Sequence, residues 1–414
     1  MRLTRMPLPS LAHATLSLIR KAVCGLVFSM LIATSIATSA SRPALFFYPP
    51  PFQLIDGSVI SSPVTFSVEQ ITNLFPKIEE MSGVALLLNW SQVCLTPQQC
   101  DFTIIERVLS YWASRNKKVI LGVSTIGYPY RTIAAGSPHF ESATPDWVLD
   151  EVDTYSAEIG TLGRVDNKTT TIERFPSYAD PKYRDRIKEL VHKLKRFDGH
   201  PGISQIRIST GFLTEDNPSP AGPTWLIQGY TDLDWIKYCD EMAVLFEGAF
   251  KRSQLEFDLG VVALAYQRGG PIERAAVDRL IENLLAHHVL LAFNGLESGM
   301  ASIVDNNDQN KSAEVPRIIH YLKIAQRKYD GAGLEALAPI TADRLQDIIA
   351  IIRIIKVLRP SRLVLFFEVP GSLDRERNGP SARNASATQW LDAQPTAASA
   401  NSHIHELLTG IGYR

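Results

Sequence analysis

The sequence is poor in the residue types that bind metals. Its 414 residues include four cysteines and nine histidines, and none is grouped with the number and spacing of partners that a metal site needs. The pairs His287-His288 and His403-Ile-His405 stand without further ligands beside them. No metal or other cofactor is expected. An excess of charge of either sign is also lacking, because 42 Lys and Arg face 43 Asp and Glu for a formal net charge of −1. Without a basic field, the chain has no general attraction for nucleic acid or for an acidic membrane surface. A Gly-rich phosphate loop is missing after the first clear strand, where the chain reads Asn89-Trp-Ser-Gln-Val-Cys94. That absence disfavours an open doubly wound sheet of the dinucleotide-binding type.

What is present begins with an unusual N-terminus. Arg2, Arg5, Arg20 and Lys21 precede an apolar run from Val23 to Ala33, and small residues follow through Ala40. This is the order of a secretory signal, with Ala37 or Ala40 as the last residue removed. Residues 1–40 are read as that signal, and the mature, secreted chain would start near Ser41. The apolar run is shorter than the ~20 residues of a membrane span, so an uncleaved anchor is the alternative. Cys24 would leave with the signal. Cys94 and Cys100 flank a short loop and would form a disulfide in an oxidising compartment. Cys239 falls in a helical pattern as a buried thiol. Asn167-Lys-Thr, Asn310-Lys-Ser and Asn384-Ala-Ser are glycosylation sequons in polar stretches, whereas Asn89-Trp-Ser lies at a strand end and would stay unmodified.

Beyond the signal, buried strands alternate with helices. Pro43 to Pro63 is extended and rich in Pro and aromatics, and Ser67 caps a helix running to Met81. Gly83–Trp90 and Lys118–Thr125 are continuous apolar runs of the kind buried on both faces. Helices are expected from Phe102 to Arg115, Asp180 to Phe197, Asp232 to Arg252, Ile272 to Ala286, Ala313 to Tyr329 and Thr341 to Leu358. Further strands are expected near Thr170–Phe175, at Ile203–Thr210, Glu256–Leu264, Val289–Asn294, Gly331–Leu337 and Arg362–Val369. A segment rich in Ser, Ala and charge, 370–401, reads as a mobile loop. About eight such βα units predict an α/β fold, a single-domain (β/α)8 TIM barrel over 41–414.

On that fold, side chains at the carboxyl ends of strands carry the chemistry. Glu215 follows the fourth strand and Glu335 ends the seventh. Two carboxylates across one barrel mouth are the minimum for cleaving a glycosidic bond: one protonates the leaving oxygen, and the other attacks the anomeric carbon or activates water. Glu297 after the sixth strand and Glu368 at the end of the eighth are rivals for the second role. Asp216 is a possible partner of Glu215. Trp90, Trp147, Tyr128, Tyr130 and Trp225 fall on loops at the same end, where aromatic rings could stack on sugars. Trp90 is the preferred contact, with Asn294 and Arg207 as weaker candidates.

These stretches resemble clan A glycoside hydrolases, especially β-galactosidase-like members. The resemblance covers roughly Gly83 to Val369. It rests on Asn89-Trp-Ser with Thr96-Pro and Asp101-Phe, on Lys117-Lys-Val-Ile-Leu-Gly with Thr144-Pro-Asp-Trp147, and on Pro176-Ser-Tyr-Ala-Asp-Pro-Lys-Tyr183 through Gly199-His-Pro201 to Glu215. It implies a retaining hydrolase of poly- or oligosaccharides, with Glu215 as acid/base, Glu335 as nucleophile and no cofactor. Most members place Asn before the acid/base, whereas this chain has Thr214. A barrel that binds carbohydrate or a cell-wall component without turnover is the alternative function. A position for Glu335 in the packed interior would count for that alternative.

Overall fold

The structure is a computed structural model that describes residues 44–48, 82–126, 131–134, 137–140, 143–160, 170–211, 214, 230–260, 262, 269–296, 314–329, 331–336 and 345–366. The signal-like residues 1–40, the Ser67 helix and the segment 370–401 lie outside them. In chain order the strands are β1 (Ala44–Tyr48), β2 (Gly83–Asn89) and β3 (Lys118–Ser124). The pairs β4 (Arg131–Ala134) with β5 (Ser137–Phe140) and β6 (Thr154–Gly160) with β7 (Thr170–Pro176) follow. Then come β8 (Ile203–Arg207), β9 (Gln254–Asp258), β10 (Leu290–Leu296), β11 (Ala332–Ala336) and β12 (Arg362–Phe366).

Eight of these strands close a barrel in the order β1-β2-β3-β8-β9-β10-β11-β12 and back to β1. Every neighbouring pair is parallel. The chain is therefore an α/β protein with the (β/α)8 fold. β4–β5 and β6–β7 are antiparallel and stand outside the barrel.

That topology corrects the strand count in two places. Thr170–Phe175 is a strand, as expected, but it pairs with β6 rather than entering the barrel. Its alternation of Thr, Ile, Arg and Phe suits an antiparallel ribbon with one face in water. The first barrel strand is instead Ala44–Tyr48, inside the Pro-rich stretch read as merely extended. The two errors cancel, so Ile203–Arg207 is still the fourth barrel strand and Ala332–Ala336 the seventh.

The helices are α1 (Trp90–Val93), α2 (Thr103–Ala113), α3 (Asp146–Leu149), α4 (Pro181–Leu194), α5 (Asp232–Ala249), α6 (Pro271–Ala286), α7 (Glu314–Tyr329) and α8 (Leu345–Leu358). Their starts follow local chemistry. Asp180 accepts from the Lys182 N–H with Pro181 at the first helical position, and Thr231 and Asp234 form a reciprocal capping box on α5. Buried side chains on these helices meet Leu86, Val119, Leu121, Ile206, Phe257, Leu291, Leu334 and Leu363 on the outward strand faces, forming one large core. The inward faces are a separate layer. Phe46, Ala85, Ile120 and Val364 form its apolar cluster, with Leu87 packed against them.

Candidate functional site

The lumen changes character from one side to the other. On β8, Ile206 and Ile208 pack outward against the helices, so the alternate residues Gln205, Arg207 and Ser209 face inward, all buried. On β9, Leu255 and Phe257 pack outward, leaving Glu256 and Asp258 inside and buried. β11 contributes Glu335 and β12 contributes Arg362, each at most 1 % exposed.

Four of these charges form a ring. Arg207 Nε lies 2.8 Å from Glu256 Oε1, and Arg362 Nε lies 2.6 Å from Glu256 Oε2. Arg362 Nη1 lies 3.0 Å from Glu335 Oε1, an oxygen that Arg207 Nη2 also contacts. Both Glu256 oxygens lack aligned hydrogen-bond donors despite these short distances, so Glu256 is held mainly by charge in a medium of low dielectric. Burial pushes the Glu256 carboxyl above its ordinary range, and Glu335 adds to the rise, while Arg362 and Arg207 oppose it. Gly333 makes the arrangement possible, because a Cβ there would stand 2.9 Å from Arg362 Nη2.

Glu335 thus sits where the sequence placed it, next to last in the seventh barrel strand, beside Asn294 in register. Its environment differs from the open mouth expected of a nucleophile. The side chain is wholly buried and its Oε1 is shared by two guanidinium groups, so in this arrangement it belongs to the packed interior. Asn294 is half-buried and its N–H donates to Asp258 Oδ1 at 3.1 Å. Arg207, a weak candidate in the sequence, is central to the ring. Glu256 and Arg362 were missed, although each is a single charge within an apolar strand run.

The aromatic candidates divide. Trp90 is 1 % exposed, and its ring meets Trp147 edge-on with centroids 5.9 Å apart. It is packed under the surface, so it does not offer the free stacking face expected of it. Trp147 is half-buried, donates from Nε1 to the Cys94 carbonyl at 3.2 Å, and lies under the Arg186 guanidinium. Cys94 and Cys100 form the expected disulfide, and Cys239 is a buried free thiol. Glu215, Asp216, Glu297, Glu368, Tyr128, Tyr130 and Trp225 lie outside the described residues, as do sequons Asn167, Asn310 and Asn384. Asn89 is 1 % exposed, which fits an unmodified sequon. Among the described residues, no group of His, Cys, Asp and Glu could hold a metal, and no helix is long and apolar enough to cross a membrane.

Thr214, the residue before Glu215, has φ 70, a backbone region that β-branched side chains rarely enter. It is 1 % exposed. Its N–H donates to the Gly211 carbonyl at 3.3 Å.

No family model and no curated protein matches the sequence. Solved structures do share its fold. The catalytic domain of β-amylase from Paenibacillus polymyxa aligns with 87 % of this chain and 99 % of its own, at 11 % identity and a TM-score of 0.50. Endo-glycoceramidase II from Rhodococcus sp. aligns over 75 % of this chain and 78 % of its own, at 11 % identity and TM-score 0.38. A psychrophilic glycoside hydrolase family 10 endo-β-1,4-xylanase aligns over 79 % and 87 %, at 9 % identity and TM-score 0.43. The barrel is therefore one that glycoside hydrolases use, in line with the clan A resemblance. At these identities the likeness is one of fold.

Proposed function

We propose that this chain is a secreted glycoside hydrolase that cleaves O-glycosidic bonds of a poly- or oligosaccharide by a retaining double displacement. Glu335 is the nucleophile and Glu215 the acid/base. The observation that carries the reading is the place of Glu335: a carboxylate facing inward near the carboxyl end of the seventh strand of a closed parallel barrel, touched by two arginines. Two cations beside a buried carboxylate favour its charged form, and a nucleophile must be charged to attack the anomeric carbon. Glu215 follows the fourth strand, three strands away around the barrel, where it could protonate the leaving oxygen from the other side of the sugar ring. Secretion belongs to the same proposal, on the basic, apolar and small-residue order of residues 1–40, and so does glycosylation at the polar sequons.

The reaction needs Glu335 to exchange part of its arginine contact for the sugar. Substrate entering the mouth would draw Arg207 or Arg362 towards Glu256, which already binds both. The test is a panel of aryl glycosides offered to the purified mature chain. The wild type is expected to turn over at least one of them, with Glu215→Gln and Glu335→Gln each removing nearly all of that rate. A rate like that of the wild type in either variant refutes that residue's role. The anomeric configuration of the first product, read by NMR, separates retention from inversion.

One observation favours a second reading. A carboxylate with no exposed surface, already shared by two arginines, describes a structural plug as well as a resting nucleophile. In that case the chain is a barrel without turnover that binds carbohydrate or a cell-wall component. Saccharide binding together with a blank aryl glycoside panel would select it.

A further inference from the structure

At the carboxyl ends of the second, third and fourth barrel strands lie two buried polar groups without hydrogen-bond partners. Thr214 Oγ1 is one and Asn89 Nδ2 the other, and both residues are 1 % exposed. Asn89 ends β2, in the same alternation as Ala85 and Leu87, which belong to the lumen layer. Its backbone N–H is satisfied by Gln92 Oε1 at 2.8 Å and its side chain also caps α1, which leaves the amide N–H2 unused. Leaving such groups unpaired in the interior is unfavourable, and folded proteins seldom tolerate it without a reason.

Thr214 is also held in a strained conformation. A β-branched residue at φ 70 persists only where its surroundings enforce it, and such residues gather at ligand clamps. The enforcement is visible. Ser124 Oγ donates to the Ile126 carbonyl and lies 3.5 Å from that of Gly211, tying the start of the loop to β3. Gly122, paired with Leu87, leaves the space that Thr214 occupies: a Cβ on Gly122 would lie 2.9 Å from Thr214 Cγ2 and 3.3 Å from Oγ1. The hydroxyl is thereby brought over the lumen end of β3.

We infer that Asn89 and Thr214 form a subsite for one hydroxyl group of a sugar, a reading that rests on the carbohydrate function proposed above. The chemistry is complementary. The Asn89 amide can only donate from Nδ2, the Thr214 hydroxyl can donate and accept, and a sugar hydroxyl can do both in turn. Discrimination follows, because a sugar lacking that hydroxyl leaves two buried groups unpaired.

The experiment uses Thr214→Val, which keeps the shape and removes the hydroxyl, and Asn89→Asp, which keeps the helix cap and removes the amide donor. Ligand-observed NMR measures binding of glucose, galactose, mannose, xylose and their β-1,4-linked disaccharides, then of each monodeoxy form of the sugar that binds best. Thermal melts establish that both variants fold. The wild type should prefer the parent sugar over one deoxy sugar by about tenfold, the value of one lost hydrogen bond to a buried group. Both variants should lose that preference. Folded variants that discriminate like the wild type overturn the subsite and leave the two groups to water, and a wild type that binds none of the sugars overturns it as well. Aryl glycoside turnover, measured in parallel, tells the two proposals apart: discrimination that depends on Thr214 without any turnover sinks the hydrolase alone, while normal turnover in Thr214→Val sinks the subsite alone.

Discussion

The two sides of the barrel lumen solve the same packing problem by opposite means. Around β1, β2, β3 and β12 the inward positions hold Phe46, Ala85, Ile120 and Val364. Around β8, β9 and β11, with the first residue of β12, they hold Arg207, Glu256, Glu335 and Arg362, all but unexposed. Strand geometry and register are alike on both sides, so backbone does not account for the difference. The apolar side is stabilised by transfer of each side chain out of water, and each residue contributes nearly independently. The ionic side is stabilised only as a set, since every buried charge there depends on its neighbours to offset desolvation.

The largest effect should therefore come from breaking the set at one point. Arg362→Met fills much of the same volume but leaves Glu256 and Glu335 with a single arginine between them. Loss of one partner from a buried pair costs about 3–5 kcal/mol, which a urea denaturation series would resolve as a clear fall in midpoint. An equal-sized trim on the apolar side should do much less. Ile120→Val removes one methylene from a buried position and should cost about 1 kcal/mol. If the two substitutions proved equally costly, the lumen would behave as one uniform core and the contrast would fail.

A smaller effect should appear in the dependence on pH. Burial raises the Glu256 carboxyl above its ordinary value of 4.5. The folded protein therefore keeps that proton to higher pH than the unfolded chain does. Stability contributed by this group is fully present at low pH and is lost as pH rises from 4.5 towards the raised value. Asp101, Asp198 and Asp234 are lowered by hydrogen bonds to their carboxylates and act in the opposite sense, but below pH 3.8. Denaturation of wild type and Glu256→Gln at a series of pH values above 4.5 should show a falling component only in the wild type. A difference between them that does not change with pH would contradict this.

How far the sequence displayed these two sides depends on which signal each produces. The barrel itself was legible because β2, β3 and β10 are unbroken apolar runs and α2, α4 and α6 carry their own caps and periodicity. β1 was not legible, because Pro43, Pro49 and Pro50 crowd a five-residue strand whose partners, β12 and β2, lie far away in the chain. Thr170–Phe175 was assigned to the barrel because strand propensity says nothing about which sheet a strand joins. At the site, Glu335 and Arg207 were readable as charges at strand ends. The ring was not, since four residues spread from 207 to 362 reveal their pairing only once strand order and inward parity are fixed. Glu256 and Arg362 did leave a trace: in Gln254-Leu-Glu-Phe-Asp258, polar and apolar residues alternate although both strand faces are buried. Thr214 was noticed for its identity, while its backbone strain has no signature in the sequence.

The smallest net change is expected from the most drastic substitution. Replacing the whole ring at once, Arg207→Met, Glu256→Leu, Glu335→Leu and Arg362→Met, would turn the ionic side into a continuation of the apolar one. No charge would be left without a partner, and the desolvation of four ions would no longer oppose folding, so stability should fall within about 1 kcal/mol of the parent. The pH-dependent component above 4.5 should vanish with Glu256. Set beside the single Arg362→Met variant, this measurement separates two reasons for keeping the ring. If the quadruple variant is as unstable as the single one, the four charges serve the fold. If it is as stable as the parent but has lost turnover and saccharide binding, the barrel does not need the charges to stand, and Arg207, Glu256 and Arg362 are retained for what they do to Glu335.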